Sequence, residues 1–197
     1  MDYLKVFDKE IERVKSCGYK PRLLLHACCA PCASAVLESL YPYFDVTVFF
    51  YNPNISPLEE YESRLEEMRR YLLETPKNTQ IIAPVWSENE FLDAICGLEG
   101  EKEGGMRCDK CFYLRLSKTF EYAQLGGYEY FATTLTVSPL KSADKINTIG
   151  LMLSASDCKY LVSDFKKRDG YKKSIELSKK HGLYRQNYCG CTYSKRI

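Results

Sequence analysis

A chain of 197 residues that is 45 % hydrophobic can bury a continuous core without cross-links, and is too short for several large domains. A net charge of +2 says little about partners, and the best apolar run, Val46 to Tyr51, falls far short of the roughly 20 residues that cross a bilayer. The first residues, Met1-Asp2-Tyr3-Leu4-Lys5, lack the basic start and apolar stretch of a secretory signal, so the expected setting is a reducing cytoplasm, where clustered thiols bind metals or carry redox chemistry.

Asp2 is suited to cap a helix with Leu4, Val6, Phe7, Ile11 and Val14 at helical spacing, and Gly18 to end it. Arg22 to Ala27 reads as a buried strand, Ala33 to Leu40 as a helix, and Asp45 to Tyr51 as a second strand rich in β-branched and aromatic residues. The two prolines of Asn52-Pro53-Asn54-Ile55-Ser56-Pro57 make it a loop. A charged helix is expected over Leu58 to Glu74, a third strand over Gln80 to Val85, and a short helix after Ser87, with Glu90 at capping-box spacing. The glycine-rich Glu99 to Gly105 is a polar loop, and Cys108 and Cys111 open the next helix. Tyr128 to Thr133 is a fourth strand, Ser142 to Ser154 a helix, Lys159 to Val162 a fifth strand and Tyr171 to His181 a last, basic helix.

This alternation predicts an α/β fold, a parallel sheet with helices on both faces, built as one domain over 1–197. Ligands in such sheets bind at the carboxyl ends of the strands. Three loops meet there: Cys28-Cys29, Asn52-Pro53-Asn54 and Thr134 to Pro139, with Asn52, Asn54, Thr133, Thr134 and Lys141 as polar groups suited to a substrate. Charge divides unevenly: residues 1–139 carry 15 basic and 21 acidic side chains, residues 140–197 carry 13 and 5. The excess in Lys166-Lys167-Arg168, Lys172-Lys173, Lys179-Lys180 and Lys195-Arg196 reads either as a footprint for a phosphate backbone or as a solvated face.

Seven of the ten cysteines fall in three clusters: Cys28, Cys29 and Cys32; Cys108 and Cys111; Cys189 and Cys191. Strand ends and helix starts lower thiol pKa values and aim sulfurs at one point, so four sulfurs from the first two clusters suit tetrahedral zinc or an iron–sulfur cluster. Cys29 and Cys32 with Cys108 and Cys111 would suit zinc, whereas the adjacent pair Cys28-Cys29 favours the cluster. A disulfide across Cys189-Gly190-Cys191 would close a small, strained and easily reduced ring, which suits a redox-active pair; the same thiols could instead add metal ligands. His26 reads as a core histidine two residues ahead of Cys28.

Five ordered motifs point further: Leu25-His26-Ala27-Cys28-Cys29-Ala30-Pro31-Cys32, Tyr51-Asn52-Pro53-Asn54-Ile55, Arg107-Cys108-Asp109-Lys110-Cys111 with Arg115-Leu116, Thr133 to Pro139, and Tyr188-Cys189-Gly190-Cys191. Together they resemble the QueH-type epoxyqueuosine reductases. The resemblance implies a four-iron four-sulfur cluster on Cys28, Cys29, Cys108 and Cys111, and a redox-active disulfide between Cys189 and Cys191. It also implies a fold similar to the nucleotide-binding layer of PP-loop (HUP-type) enzymes. Residues 166–197 are expected, from their charge and from Tyr184, Tyr188 and Tyr193, to form a basic C-terminal extension packed on the domain. The Ser-Gly-Gly-type turn of those enzymes is replaced by cysteines, so ATP use is not expected.

The implied reaction is two-electron reduction of epoxyqueuosine in tRNA to queuosine, the last step of queuosine synthesis. An external electron donor is then required. An additional iron beside the cluster would draw on Cys189, Cys191 or Cys32. Two rival readings stand at this stage: a zinc-stabilised RNA-binding module, and a tRNA sulfur-transfer enzyme, for which no nucleotide site is found.

Overall fold

The structure, a computed structural model, describes residues 1–75 and 77–195. Arg196 of the basic pair Lys195-Arg196, and the end of the 166–197 extension, lie outside the described residues. Five parallel strands, β1 (Arg22–His26), β2 (Asp45–Phe49), β3 (Ile81–Ile82), β4 (Tyr130–Thr133) and β5 (Lys159–Tyr160), line up as β3-β2-β1-β4-β5. The expected parallel sheet with helices on both faces is therefore present. β1 is central, with Leu24 opposite Thr47 on one side and Phe131 on the other.

Successive side chains of a strand face opposite ways, and β1 divides its leucines accordingly. Leu23 and Leu25 join the core made with α1 (Tyr3–Lys15), α2 (Ala30–Leu40) and α3 (Leu58–Glu74), through Ile11, Val36, Leu37 and Met68. Leu24 joins Phe49 and Phe131 on the other face, under Phe112 and Leu116 of α5 (Met106–Leu125) and Ile146 of α6 (Ala143–Leu153). Besides α4 (Glu88–Ala94), the remaining helix, α7 (Gly170–Lys180), packs against α2. Among the described residues no helix is long and apolar enough to cross a membrane.

All the strands are shorter than the sequence expectation, β3 and β5 holding two residues each, and three local features also differ from it. The second helix starts at Ala30 instead of Ala33, because Pro31 lies in its first turn, where no backbone donor is needed. That change makes Cys29 the N-cap and places Cys32 inside α2. The capping box at Ser87 is not formed: Ser87 makes no capping hydrogen bond, and Glu90 instead accepts one from the Tyr51 hydroxyl at 2.6 Å. Third, the chain after β4 is not an open loop. Thr133 caps a 3-10 turn, Thr134–Val137, by accepting from the Leu135 amide at 3.2 Å.

Candidate metal and redox centre

β1 delivers Cys28 and Cys29 to the carboxyl edge of the sheet between β2 and β4, where the strand order reverses and open α/β sheets hold their ligands. The sulfurs of Cys28, Cys29 and Cys32 all lie within 4.8 Å of one another, with Cys28 and Cys29 3.8 Å apart. Hydrogen bonds from Cys29 and Cys32 hold the Cys28 thiol well below its ordinary range, helped by the positive charges of Arg115 and Lys141. Cys29 is in turn pushed up to about 12, chiefly because it donates to Cys28, and Cys32 is raised for the same reason. Within the trio the ionised form is favoured at Cys28, and a metal binds sulfur in that form.

The start of α5 supplies the next two sulfurs. The Gly104 amide donates to Cys108 Sγ at 3.2 Å, while burial raises the Cys108 thiol and pushes Cys111 up to about 12. Cys111 packs with Cys191, Phe91 and Ile95. Lys145 anchors this end of α5 to α6 through Asp109 Oδ2 at 2.8 Å and the Gly104 carbonyl at 2.9 Å.

Cys189-Gly190-Cys191 is fastened to the loop after β2. The Ser56 amide donates to the Gly190 carbonyl at 3.0 Å, and Arg64 Nη1 to the Cys189 carbonyl at 3.4 Å. Both cysteines are free thiols, with no bond between them. Gly190 has φ +107°, and a Cβ there would stand 2.9 Å from Ile55 Cγ1 and 3.0 Å from Arg64 Nη1. Gly190→Ala should therefore cost about 2–4 kcal/mol, combining backbone strain with overpacking. A denaturant midpoint equal to that of the parent would contradict this.

Two cavities meet at these cysteines. The inner one, of about 40 Å³, has room for a few waters and is lined by Cys108, Cys111 and Cys191. The outer one, of about 340 Å³, has Cys28, Cys29 and Cys32 in its wall. Glu103, Leu140, Lys141, Cys189 and Ser194 line both.

Arg115 ties the two sulfur groups together. It is buried at 1 % exposure, with Nη1 3.9 Å from Cys111 Sγ, Nη2 donating to Asn52 Oδ1 at 2.7 Å and Nε donating to His26 Nε2 at 3.2 Å. Nε2 also lies 3.2 Å from the Tyr51 carbonyl oxygen; because Arg115 can only donate, its bond favours the tautomer with the ring proton on Nδ1, donated to Thr133 Oγ1 at 2.8 Å. Burial and the neighbouring guanidinium lower the His26 pKa to about 3 and keep the ring neutral.

No carboxylate pairs with Arg115 or Lys141 among the described residues. Burial works against the Arg115 charge, and the sulfurs of Cys111, Cys28 and Cys189 hold it up. A buried cation is costly unless an anion answers it. Here the answering groups are sulfurs, so this donor set fits an anionic, thiolate-bound inorganic group.

The sequence-predicted polar groups have divided roles. Asn52 donates to the Ala27 carbonyl at 2.9 Å and accepts from Arg115, so together with Thr133 it is committed to holding the site and is not free for a substrate. Thr134 stands 4.0 Å from Cys28 Sγ. Only Asn54, 1 % exposed with neither amide atom bonded, and Lys141 retain free polar atoms toward the cavities. Cys28 and Cys29 have Cys32 as their close third sulfur, while Cys108 and Cys111 face the inner cavity with Cys189 and Cys191. Arg115 stands in one of the five motifs without an assigned role. Its place four residues after Cys111, one helical turn on the same face, is the signal that identifies it.

A family model described as epoxyqueuosine reductase QueH matches residues 23–197. The epoxyqueuosine reductase QueH of Streptococcus pyogenes is 40 % identical over 198 residues, covering 98 % of this chain and 75 % of that protein. The protein of the same name from Staphylococcus epidermidis is 38 % identical, covering 98 % of this chain and 84 % of its own, and that from Thermotoga maritima is 36 % identical, covering 87 % and 89 %. Among solved structures, an NH3-dependent NAD synthetase from Campylobacter jejuni superposes with a TM-score of 0.43 at 15 % identity, over 91 % of this chain and 86 % of that one. A likeness at that level carries no functional meaning.

Proposed function

The chain belongs to the QueH family of epoxyqueuosine reductases, and on that premise we propose that it converts epoxyqueuosine in tRNA to queuosine with Cys189 and Cys191 as the reducing pair. The observation that supports the site assignment is that seven cysteines line two adjoining cavities with Lys141, and that neither Lys141 nor the buried Arg115 has a carboxylate partner among the described residues. The step balances with the dithiol alone. Two S–H bonds and the two ring C–O bonds break; one S–S bond, two O–H bonds and the carbon–carbon π bond form. The products are the alkene, water and a Cys189–Cys191 disulfide. Lys141 lines both cavities, where its ammonium can offset negative charge on the departing oxygen.

Cys28, Cys29, Cys108 and Cys111 would hold a four-iron four-sulfur cluster, with Arg115 balancing its charge. When bound, such a group supplies the single-electron transfers from an external donor that return the pair to its dithiol form. The close trio of Cys28, Cys29 and Cys32 makes Cys32 the rival ligand. Bonds of about 2.3 Å to a tetrahedral ion space its sulfurs about 3.8 Å apart, which is the spacing of Cys28 and Cys29.

Metal and acid-labile sulfide in anaerobically purified protein decide between them. About four irons and four sulfides per chain are expected; one zinc without sulfide would assign the trio to a lone ion. Failure of the iron-loaded protein to convert epoxyqueuosine in tRNA, read by mass spectrometry of the nucleosides, would reject the proposed activity.

The basic C-terminal part is less available to RNA than its sequence suggests. Lys166 pairs with Asp164 and Arg168 with Asp8, and Lys173 pairs with Glu38. Lys167, Lys172, Lys179, Lys180, Arg185 and Lys195 have no carboxylate partner among the described residues. Binding of tRNA should therefore weaken with salt at a log–log slope of about −2 to −5. Filter binding across a salt series measures it, and a flat profile would remove this face from the interface.

A further inference from the structure

The outer cavity has a second set of groups that the chemistry above does not use. Besides its three neighbouring cysteines it is lined by Tyr171 and Tyr188, with Arg185, Arg64 and Asn187. At about 340 Å³ it is within the range of small-molecule sites. Arg185 lies over the Tyr171 ring, with its guanidinium carbon 5.8 Å from the ring centre, and Arg64 lies over Tyr188 at 5.3 Å.

Neither arginine has all its donors used. Arg185 spends only Nη1, on the Ser174 carbonyl and the Ser178 hydroxyl at 3.2 Å each, and no carboxylate pairs with it among the described residues. Arg64 is 2 % exposed and paired to Glu60, yet its Nη2 is buried without a partner. With Lys141 the lining holds three cations and a single carboxylate, Glu103. Aromatic rings beside unfilled guanidinium donors are what a nucleotide requires: a face for the base and paired N–H groups for a phosphate.

We propose that this cavity is the seat of the reacting nucleotide, with Tyr188 and Tyr171 flanking the base and Arg185 binding its phosphate at the mouth. The inference rests on the activity proposed above and adds the residues that select and orient its substrate. A nucleotide held this way presents its modified base toward Cys189 and Lys141 in the same cavity. It has to leave the anticodon stack to do so, which an unpaired loop base does at the cost of a few kcal/mol. The seat is formed in part by residues 185–189, so the same short segment binds the RNA and carries Cys189.

The test uses iron-loaded protein and tRNA carrying epoxyqueuosine. Arg185→Gln should raise KM about tenfold with a much smaller change in kcat, and should reduce the salt slope of tRNA binding by about one. Tyr188→Leu should lower kcat/KM by about 5- to 100-fold, the loss expected for one base stack, and Tyr188→Phe should restore most of it. Unchanged KM and salt slope in Arg185→Gln, with unchanged kcat/KM in Tyr188→Leu, would overturn the seat while leaving the reductase activity standing. An effect confined to the KM of the electron donor would overturn it in favour of a donor site. If the parent protein binds tRNA but turns nothing over, the activity fails and the seat fails with it.

Discussion

Cys189→Ser is expected to lower turnover by more than about a thousandfold, because removing one member of a covalently acting pair removes the whole pathway. The same variant should retain the iron, sulfide and visible absorbance of the parent, since the four proposed ligands are other cysteines. The backbone has no reason to move: the two contacts that fasten the segment use the Cys189 and Gly190 carbonyls, which serine keeps. Single-turnover assays with pre-reduced protein isolate the chemical step from the supply of electrons. Full activity in that assay would remove the dithiol from the mechanism. Loss of the cluster together with activity would make Cys189 a ligand instead.

Arg115→Met should separate metal loading from folding. In the metal-loaded protein Arg115 is the buried charge closest to balancing anionic sulfur, and loss of such a partner typically costs 10- to 100-fold in metal affinity or activity. In the metal-free protein the same guanidinium is a buried cation facing mostly protonated thiols, so a shape-preserving apolar side chain relieves a desolvation cost while leaving Asn52 Oδ1 and His26 Nε2 each short of one donor. The expected result is low iron content at limiting iron, with metal-free stability within about 1–2 kcal/mol of the parent. Normal iron content with a large loss of stability in both forms would reduce Arg115 to a structural hydrogen-bond donor.

The architecture was legible because its signals are local and redundant. Buried runs such as Leu23-Leu24-Leu25, separated by capped amphipathic helices, leave a parallel sheet as the solution, and the edge rule then places Cys28, Asn52 and Thr134 side by side. The pairing of partners was not legible. Glu90 was spent on Tyr51 instead of on a cap, and Asn52 on Ala27 and Arg115, because three-dimensional neighbours compete with the local partners that spacing suggests. Spacing grouped Cys32 with Cys28 and Cys29; what spacing does not give is its place inside α2, which follows from Pro31 allowing that helix to start three residues early. The basic C-terminal stretch looked stronger than it is, since Arg168 and Lys173 find acids from the first fifth of the chain.

Cys189 forms part of the wall of both cavities, whereas Cys191 lines only the inner one. A thiol placed like the door between two rooms can be recharged from one side while the other is still occupied. The natural kinetic consequence is an ordered sequence in which the RNA remains seated as electrons arrive, with intersecting double-reciprocal plots for tRNA and donor in place of the parallel lines of a shuttling enzyme.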